Sequence, residues 1–197
     1  PMSQAKFELG RHLFFDRRLS GNGTQSCGSC HEQALSFTDG LAKSVGSTGQ
    51  VLARNSQSLL NVAYNATLTW ANFSLVTLER QALVPLFGED PVEQGITDAN
   101  REDVLQRIID EPRYVGLFKD AFPNRVAPID FANVVDSIGS FVRGLVSFDS
   151  SFDRFLQGDA NALSESARRG RTLFNGEELE CFHCHGGYNF SDSTVDR

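Results

Sequence analysis

The chain has 197 residues, enough for one large domain or two small ones, and 40% of them are hydrophobic, enough to build a packed core. Its net charge is -7 with no basic run or stripe, which argues against a nucleic-acid-binding surface. No stretch approaches the roughly 20 consecutive apolar residues needed to cross a bilayer, so no membrane span is expected.

The first expected element is a helix over Ser3–Phe15, with Phe7, Leu9, Leu13 and Phe14 mostly on one side. Leu19–Ser29, rich in Gly, Ser and Asn, reads as a loop leading into Cys27-Gly28-Ser29-Cys30-His31. Gly40–Arg54 lacks periodicity, and Ser56–Tyr64 is a short helix candidate. Thr97–Ile109 has a polar start, acidic residues in its first turn and then Val104, Ile108 and Ile109, so it is expected to be helical. Tyr114–Phe122 is a short amphipathic helix ended by Pro123. The strongest pattern is Ile129–Val146, where Phe131, Val134, Val135, Ile138, Phe141, Val142 and Leu145 follow helical spacing. Gln157–Ala162 reads as a linker. Ser164 then caps a helix through Phe174, ended by Gly176. No alternating strand pattern persists, so the fold class is all-α.

A second string, Cys181-Phe182-His183-Cys184-His185, repeats the CxxCH of Cys27–His31. The two strings hold all four cysteines and three of the four histidines. CxxCH is the attachment sequence of c-type haem: two thiols bond one haem, and the adjacent His is held under the iron. Two strings with no cysteine left over imply two covalently bound haem c groups. Two disulfides fit poorly, because each CxxC is trailed by a His. A zinc site built from both pairs is the better rival, although it would need a long-range clasp. The 16 Phe residues suit either a haem wall or an ordinary core.

A faint repeat accompanies the motifs. Leu9–Asp16 (LGRHLFFD) precedes the first and Arg169–Asn175 (RGRTLFN) the second, each as helix, loop and then CxxCH. The reading is two cytochrome c-like haem domains, 1–160 and 161–197. The second is expected to be incomplete in this chain and to depend on the remainder of the C-terminal haem domain. Pro1-Met2-Ser3-Gln4 does not resemble a signal peptide. Because haem is attached to CxxCH outside the bacterial cytoplasm, the expected location is periplasmic, with an export signal removed.

Beyond CxxCH, the stretches Leu9–Ser20, Arg54–Asn65 (RNSQSLLNVAYN), Gln81–Pro85 (QALVP), Pro91–Gly95 (PVEQG), Phe148–Gly158 (FDSSFDRFLQG) and Gly170–Gly187 carry a further likeness. In them the chain resembles the bacterial dihaem cytochrome c peroxidase family, which includes the MauG-like enzymes. The resemblance implies that His31 is the proximal ligand of a peroxide-reacting haem and His185 a ligand of an electron-transfer haem. It implies hydrogen peroxide as substrate, with Glu93 as acid–base catalyst beside Gln81; Glu89 and Asp90 are rivals for the acid role. It places Trp70, the only tryptophan, between the haems as an electron relay, although Ala71-Asn72-Phe73 departs from the family's run after this Trp. It assigns Asn55 to a structural calcium site whose other protein ligands would lie beyond Arg197.

No histidine lies between His31 and His183, and Met2 is the only methionine. Family members that need reductive activation carry a blocking His in the loop before the Asn55 position. Here that loop offers Ser44, Ser47 and Thr48, none a haem ligand, which implies an open first haem and a MauG-like state. His183 reads as a polar neighbour of the haem edge and His12 as a surface or half-buried residue. The expected function is a peroxide-using dihaem oxidoreductase with a redox partner protein. That partner is a small cytochrome or copper protein, or a protein whose residue, such as a Trp, is oxidised. The alternatives are a cytochrome c peroxidase that detoxifies peroxide, a dihaem electron carrier, and a zinc-stabilised binding module.

Overall fold

The computed structural model describes residues 2–69 and 72–191. Among these, the chain is built from helices and 3₁₀ turns, and its only strand-like pairings are isolated bridges such as Val45 with Val51. The helices are α1 (Gln4–Phe14), α2 (Cys27–Cys30), α3 (Leu78–Phe87), α4 (Arg101–Ile109), α5 (Pro112–Ala121), α6 (Phe131–Arg143), α7 (Ser151–Leu156) and α8 (Glu165–Phe174). The all-α expectation holds. No described helix is long and apolar enough to cross a membrane.

α1 is capped by Ser3, whose hydroxyl accepts from the Lys6 N–H at 3.2 Å. Eleven residues are too few for a stable isolated helix, so its order comes from packing. Leu9 and Leu13 are fully buried, each contributing about 1.5–3 kcal/mol. They pack on α6, which buries Val134, Ser137, Ile138 and Phe141 along one face. α5 closes the other side of α1 with Tyr114 and Phe118. α3 lies on α6, where the Arg143 guanidinium meets the Glu79 carboxylate at 2.7 Å.

The turn after α1 is held by a partly buried polar knot. The Tyr114 hydroxyl donates to Asp16 at 2.7 Å, and Arg18 bridges Asp16 and Glu111 at 2.7 and 2.6 Å. Burial alone would push the Asp16 carboxyl up. Hydrogen bonds from Tyr114 and from the Arg18 backbone and guanidinium outweigh it and hold the group below its ordinary value. Arg107 on α4 then donates to the Ser20 and Gly21 carbonyls at 3.1 and 2.9 Å. These bonds fix the path from α1 to α2, the single turn that carries Cys27 and Cys30.

Several expectations shift. Ser56–Tyr64 is not an α-helix; only Val62–Tyr64 forms a 3₁₀ turn. α4 starts at Arg101 rather than Thr97, because the Thr97 N–H donates to the Asn100 side chain at 2.8 Å and spends those residues as a turn. α3 and α7 were not anticipated. Pro85 inside α3 masks its periodicity, and α7 has six residues held by a Ser150–Asp153 capping box. α8 begins after Ser164 as expected, and residues 157–162 carry no helix.

The repeat survives as helix followed by motif, but the two copies differ in packing. Leu13 is 0% exposed, whereas its counterpart Leu173 is 43% exposed. A Cβ on Gly10 would lie 1.9 Å from the Ser137 carbonyl oxygen; one on Gly170 meets nothing described within 4 Å. The α1–α6 crossing is thus a backbone-to-backbone contact that only glycine admits.

Gly10→Ala should therefore destabilise the fold by about 3 kcal/mol, the upper range for overpacking, because neither backbone can yield cheaply. Gly116→Ala, in an open part of α5, should instead gain about 0.5–1 kcal/mol. Denaturant midpoints read both; equal effects would contradict the crossing.

Candidate functional site

α1 ends in Phe14, whose ring lies 6.4 Å from that of His31 and 5.0 Å from that of Phe141. Phe14 and His31 open onto a cavity of ≈ 330 Å³. Cys27, Cys30 and His31 line one side; Leu68, Leu78, Ala82, Leu86 and Ile138 supply apolar wall. Cys27 and Cys30 share one helical turn and form no disulfide. The His31 Nδ1 sits 2.8 Å from the Phe37 carbonyl oxygen. A carbonyl only accepts, so Nδ1 carries the proton and Nε2 keeps its lone pair for a metal. Burial also lowers the His31 pKa, which favours the neutral, ligating ring.

The same burial pushes the Cys27 thiol up to about 12. A zinc site built from both motifs would need their thiols brought together. The two CxxC pairs do not converge: among the described residues the one cluster of three potential metal ligands is Glu177, Glu180 and His183, all exposed and without cysteine. The zinc alternative is therefore set aside. Donor set, apolar walls and oriented imidazole fit a haem at the first motif.

Glu93 and Gln81 both line this cavity. Gln81 projects from α3, where Pro85 lacks an N–H and so leaves the Gln81 carbonyl without its helical partner. Glu93 sits on a loop clamped from three sides. Ser47 N–H donates to the Glu93 carbonyl at 2.7 Å, Gly21 N–H to the Gln94 carbonyl at 2.7 Å, and Gln94 N–H to the Pro85 carbonyl at 2.9 Å. Gly46 permits this approach, since a Cβ there would fall 1.9 Å from the Val92 carbonyl oxygen. Burial raises the Glu93 pKa above its ordinary 4.5. Glu89 and Asp90 are exposed and lie outside the cavity lining.

The loop over residues 40–54 borders the cavity through Ser44, Val45, Gly46, Leu52, Ala53 and Arg54, with Asn55 and Ser56 following. None is an imidazole or a thioether. One arrangement here escaped the sequence reading. Ser44, 1% exposed, donates to the buried Asp39 carboxylate and lies 3.0 Å from the Ser56 hydroxyl. Burial pushes the Asp39 carboxyl up, but Ser44 and backbone donors including Leu41 outweigh it and hold the group low. An aperiodic loop gives no sequence signal for such a contact. Asn55 is exposed at the cavity lip, its amide nitrogen donating to the Ser56 carbonyl at 3.3 Å. Trp70 lies outside the described residues. His12 is half-buried on α1 and lines neither cavity.

A second, wider cavity of ≈ 1100 Å³ adjoins the other motif. Cys184 and His185 line it with Arg171, Phe148, Phe174 and Tyr188. The His185 Nδ1 stands 3.3 Å from the Phe190 carbonyl oxygen, a longer version of the His31 arrangement. Cys181 is half-buried, and His183 is exposed and stacked on Phe182 at 4.3 Å. Ring contacts join this part to the rest, including Phe152 with Phe190 at 5.1 Å and Tyr64 with Tyr188 at 5.5 Å.

A family profile described as di-haem cytochrome c peroxidase matches residues 4–161. The chain is 34% identical over 194 residues to the methylamine utilization protein MauG of Methylorubrum extorquens, covering 98% of this chain and 53% of that protein. It is 41% identical over 194 residues to the cytochrome-c peroxidase IdrP1 of a Pseudomonas species (strain SCT), covering 98% and 49%. A crystal structure described as a MauG-like protein associated with microbial copper homeostasis superposes with a TM-score of 0.94 at 50% identity, covering 100% of this chain and 57% of that one. The chain thus spans about half the length of the curated relatives it matches. With two CxxCH motifs, each His turned by a carbonyl beside its own cavity, and a matching profile over most of its length, the chain belongs to the di-haem cytochrome c peroxidase family.

Proposed function

We propose that this chain serves in a periplasmic dihaem c-type oxidoreductase that uses hydrogen peroxide, in the MauG-like manner. The observation that carries the reading is Glu93, a half-buried carboxyl with a raised pKa on the wall of the cavity that Cys27, Cys30, His31 and Gln81 also line. Haem held at the two motifs supplies the redox chemistry. Cys27 and Cys30 would anchor one haem and His31 would be its ligand through Nε2; Cys181, Cys184 and His185 would hold the electron-transfer haem. The Gln81 amide orients peroxide by hydrogen bonding. Glu93, as carboxylate, would take a proton from one peroxide oxygen and hold it for return to the other, the electrons for cleavage of the O–O bond coming from the haem. Trp70 carries electrons between the two sites.

The loop over residues 40–54 brings no imidazole or thioether to the first cavity, which supports a site open to peroxide without prior reduction. A 50%-identical neighbour described as MauG-like supports the same branch. Oxidation of a residue such as Trp on a partner protein is then the favoured reaction. In the detoxifying alternative, a small cytochrome or copper protein donates the electrons. The N-terminal haem domain spans residues 1–160 and the C-terminal one begins at 161. The open face of α8 at Gly170 and Leu173 supports docking of the remainder of the C-terminal haem domain, as α6 docks at Gly10. Asn55 contributes one amide oxygen to a calcium ion, which takes about six to eight oxygens in all.

Replacing both Cys27 and Cys30 by Ala should remove one haem from the intact mass and leave the other; a two-haem mass would contradict the assignment. Glu93→Gln should slow reaction with peroxide by about 10²–10⁴-fold, while Glu89→Gln and Asp90→Asn leave it unchanged. Glu93 acts as base when deprotonated. The parent rate should therefore fall as pH drops through its pKa, which lies above 4.5, and the Gln variant should be flat there. Stopped-flow traces across pH decide; a normal rate in Glu93→Gln moves the role elsewhere.

A further inference from the structure

Three aromatic rings meet where the 3₁₀ turn Val62–Tyr64 abuts the second motif. Tyr64 packs edge-on against Tyr188 at 5.5 Å and against Phe148 at 5.7 Å, and Phe148 lies 6.3 Å from Tyr188. Such separations are ordinary aromatic contact. Phe148 and Tyr188 line the second cavity, and Tyr188 stands three residues after His185. Val62, on the same turn as Tyr64, lines both cavities. Two of the chain's three tyrosines thus form one contact beside the second haem motif. The third, Tyr114, is buried and bonded to Asp16 in the core.

The chemistry separates the two tyrosines from their phenylalanine neighbour. A phenol gives up an electron readily if its proton can leave with it, and a phenyl ring such as that of Phe148 carries no acidic proton. In this chain, which spans about half the length of its curated relatives, Tyr64 and Tyr188 are 53% and 42% exposed, so water reaches both phenols. Partial burial, with Tyr64 and Asp153 nearby, pushes the Tyr188 phenol above its ordinary value.

The geometry points to Tyr188 and Tyr64 as a two-step electron relay that carries oxidising equivalents from the second haem site to an external electron donor. This rests on the peroxidase reading above, in which peroxide supplies the oxidising equivalents. Tyr188 passes one electron to the oxidised haem site and its phenolic proton to water, leaving a neutral tyrosyl radical. Tyr64 then gives an electron to Tyr188 and its own proton to water, while Tyr188 recovers a proton. An external one-electron donor, either a reduced metalloprotein or an electron-rich indole, then reduces the Tyr64 radical, which takes its proton back from water. Trp70 is assigned the path from haem to haem; the tyrosine pair is the path outward.

The test is EPR on the haem-loaded protein, freeze-quenched after peroxide, with ordinary and ring-deuterated tyrosine. The expected result is a narrow organic radical that sharpens on deuteration and disappears in the double variant Y64F/Y188F. Phe keeps both rings in place, and an unchanged thermal midpoint checks that the fold is intact. Y188F alone should abolish the radical, whereas Y64F should leave it on Tyr188. A radical unaffected by deuteration or by the double variant, with haem signals still responding to peroxide, overturns the relay and leaves the peroxidase reading standing. Haem signals that ignore peroxide overturn the peroxidase reading and the relay with it.

Discussion

Where α1 crosses α6, the Gly10 backbone rests against the Ser137 carbonyl, and the position of the first haem site follows from that contact. Helices this close leave no room for slippage, so Leu9 and Leu13 bury completely on one side while Phe14 is delivered to the cavity beside His31. The Asp16–Arg18–Tyr114–Glu111 knot then turns the chain, and Arg107 holds the turn from α4. The α2 turn bearing Cys27 and Cys30 emerges from a path fixed at each step. In the second copy, the corresponding Gly170 and Leu173 have no such partner among the described residues. His185 there is exposed and its carbonyl contact is longer than that of His31.

Around the first cavity, environment sorts three neighbouring carboxyls. Glu89 and Asp90 face solvent, while Glu93 is turned inward by a loop whose backbone is bonded on both flanks. Desolvation raises its pKa, which is the property a carboxyl needs if it is to accept a proton and return it near working pH. Nearby, Asp39 is buried yet held low by Ser44 and backbone donors. Its bonds are spent on tethering the loop over residues 40–54 rather than on the cavity. Two acids close to one cavity thus have different characters for stated physical reasons.

The helices most legible in the sequence were those whose caps and apolar stripe agree, α1 after Ser3, α6 after Asp130 and α8 after Ser164. α3 was hidden because Pro85 interrupts its pattern while tertiary contact with α6 keeps it helical. Ser56–Tyr64 has helix-like apolar spacing, but it spends its polar groups on tertiary bonds: the Ser58 hydroxyl donates to the Ser36 carbonyl at 2.6 Å, and the Asn61 side-chain oxygen accepts from the Ser147 N–H at 2.8 Å. The CxxCH motifs were readable because spacing alone specifies the chemistry. Glu93 was readable only through its motif, since nothing local distinguishes it from Glu89. The Tyr64–Tyr188 contact joins residues far apart in the chain and has no sequence signature.

The central claim is that the first haem site keeps one face open and that Glu93 waits beside it. EPR of the resting, oxidised protein tests this most directly. The account predicts a high-spin ferric signal from the haem at Cys27–His31 alongside a low-spin signal from its partner. Two low-spin signals and no high-spin one would mean that both irons are fully ligated, the state of an electron carrier, and would contradict the account.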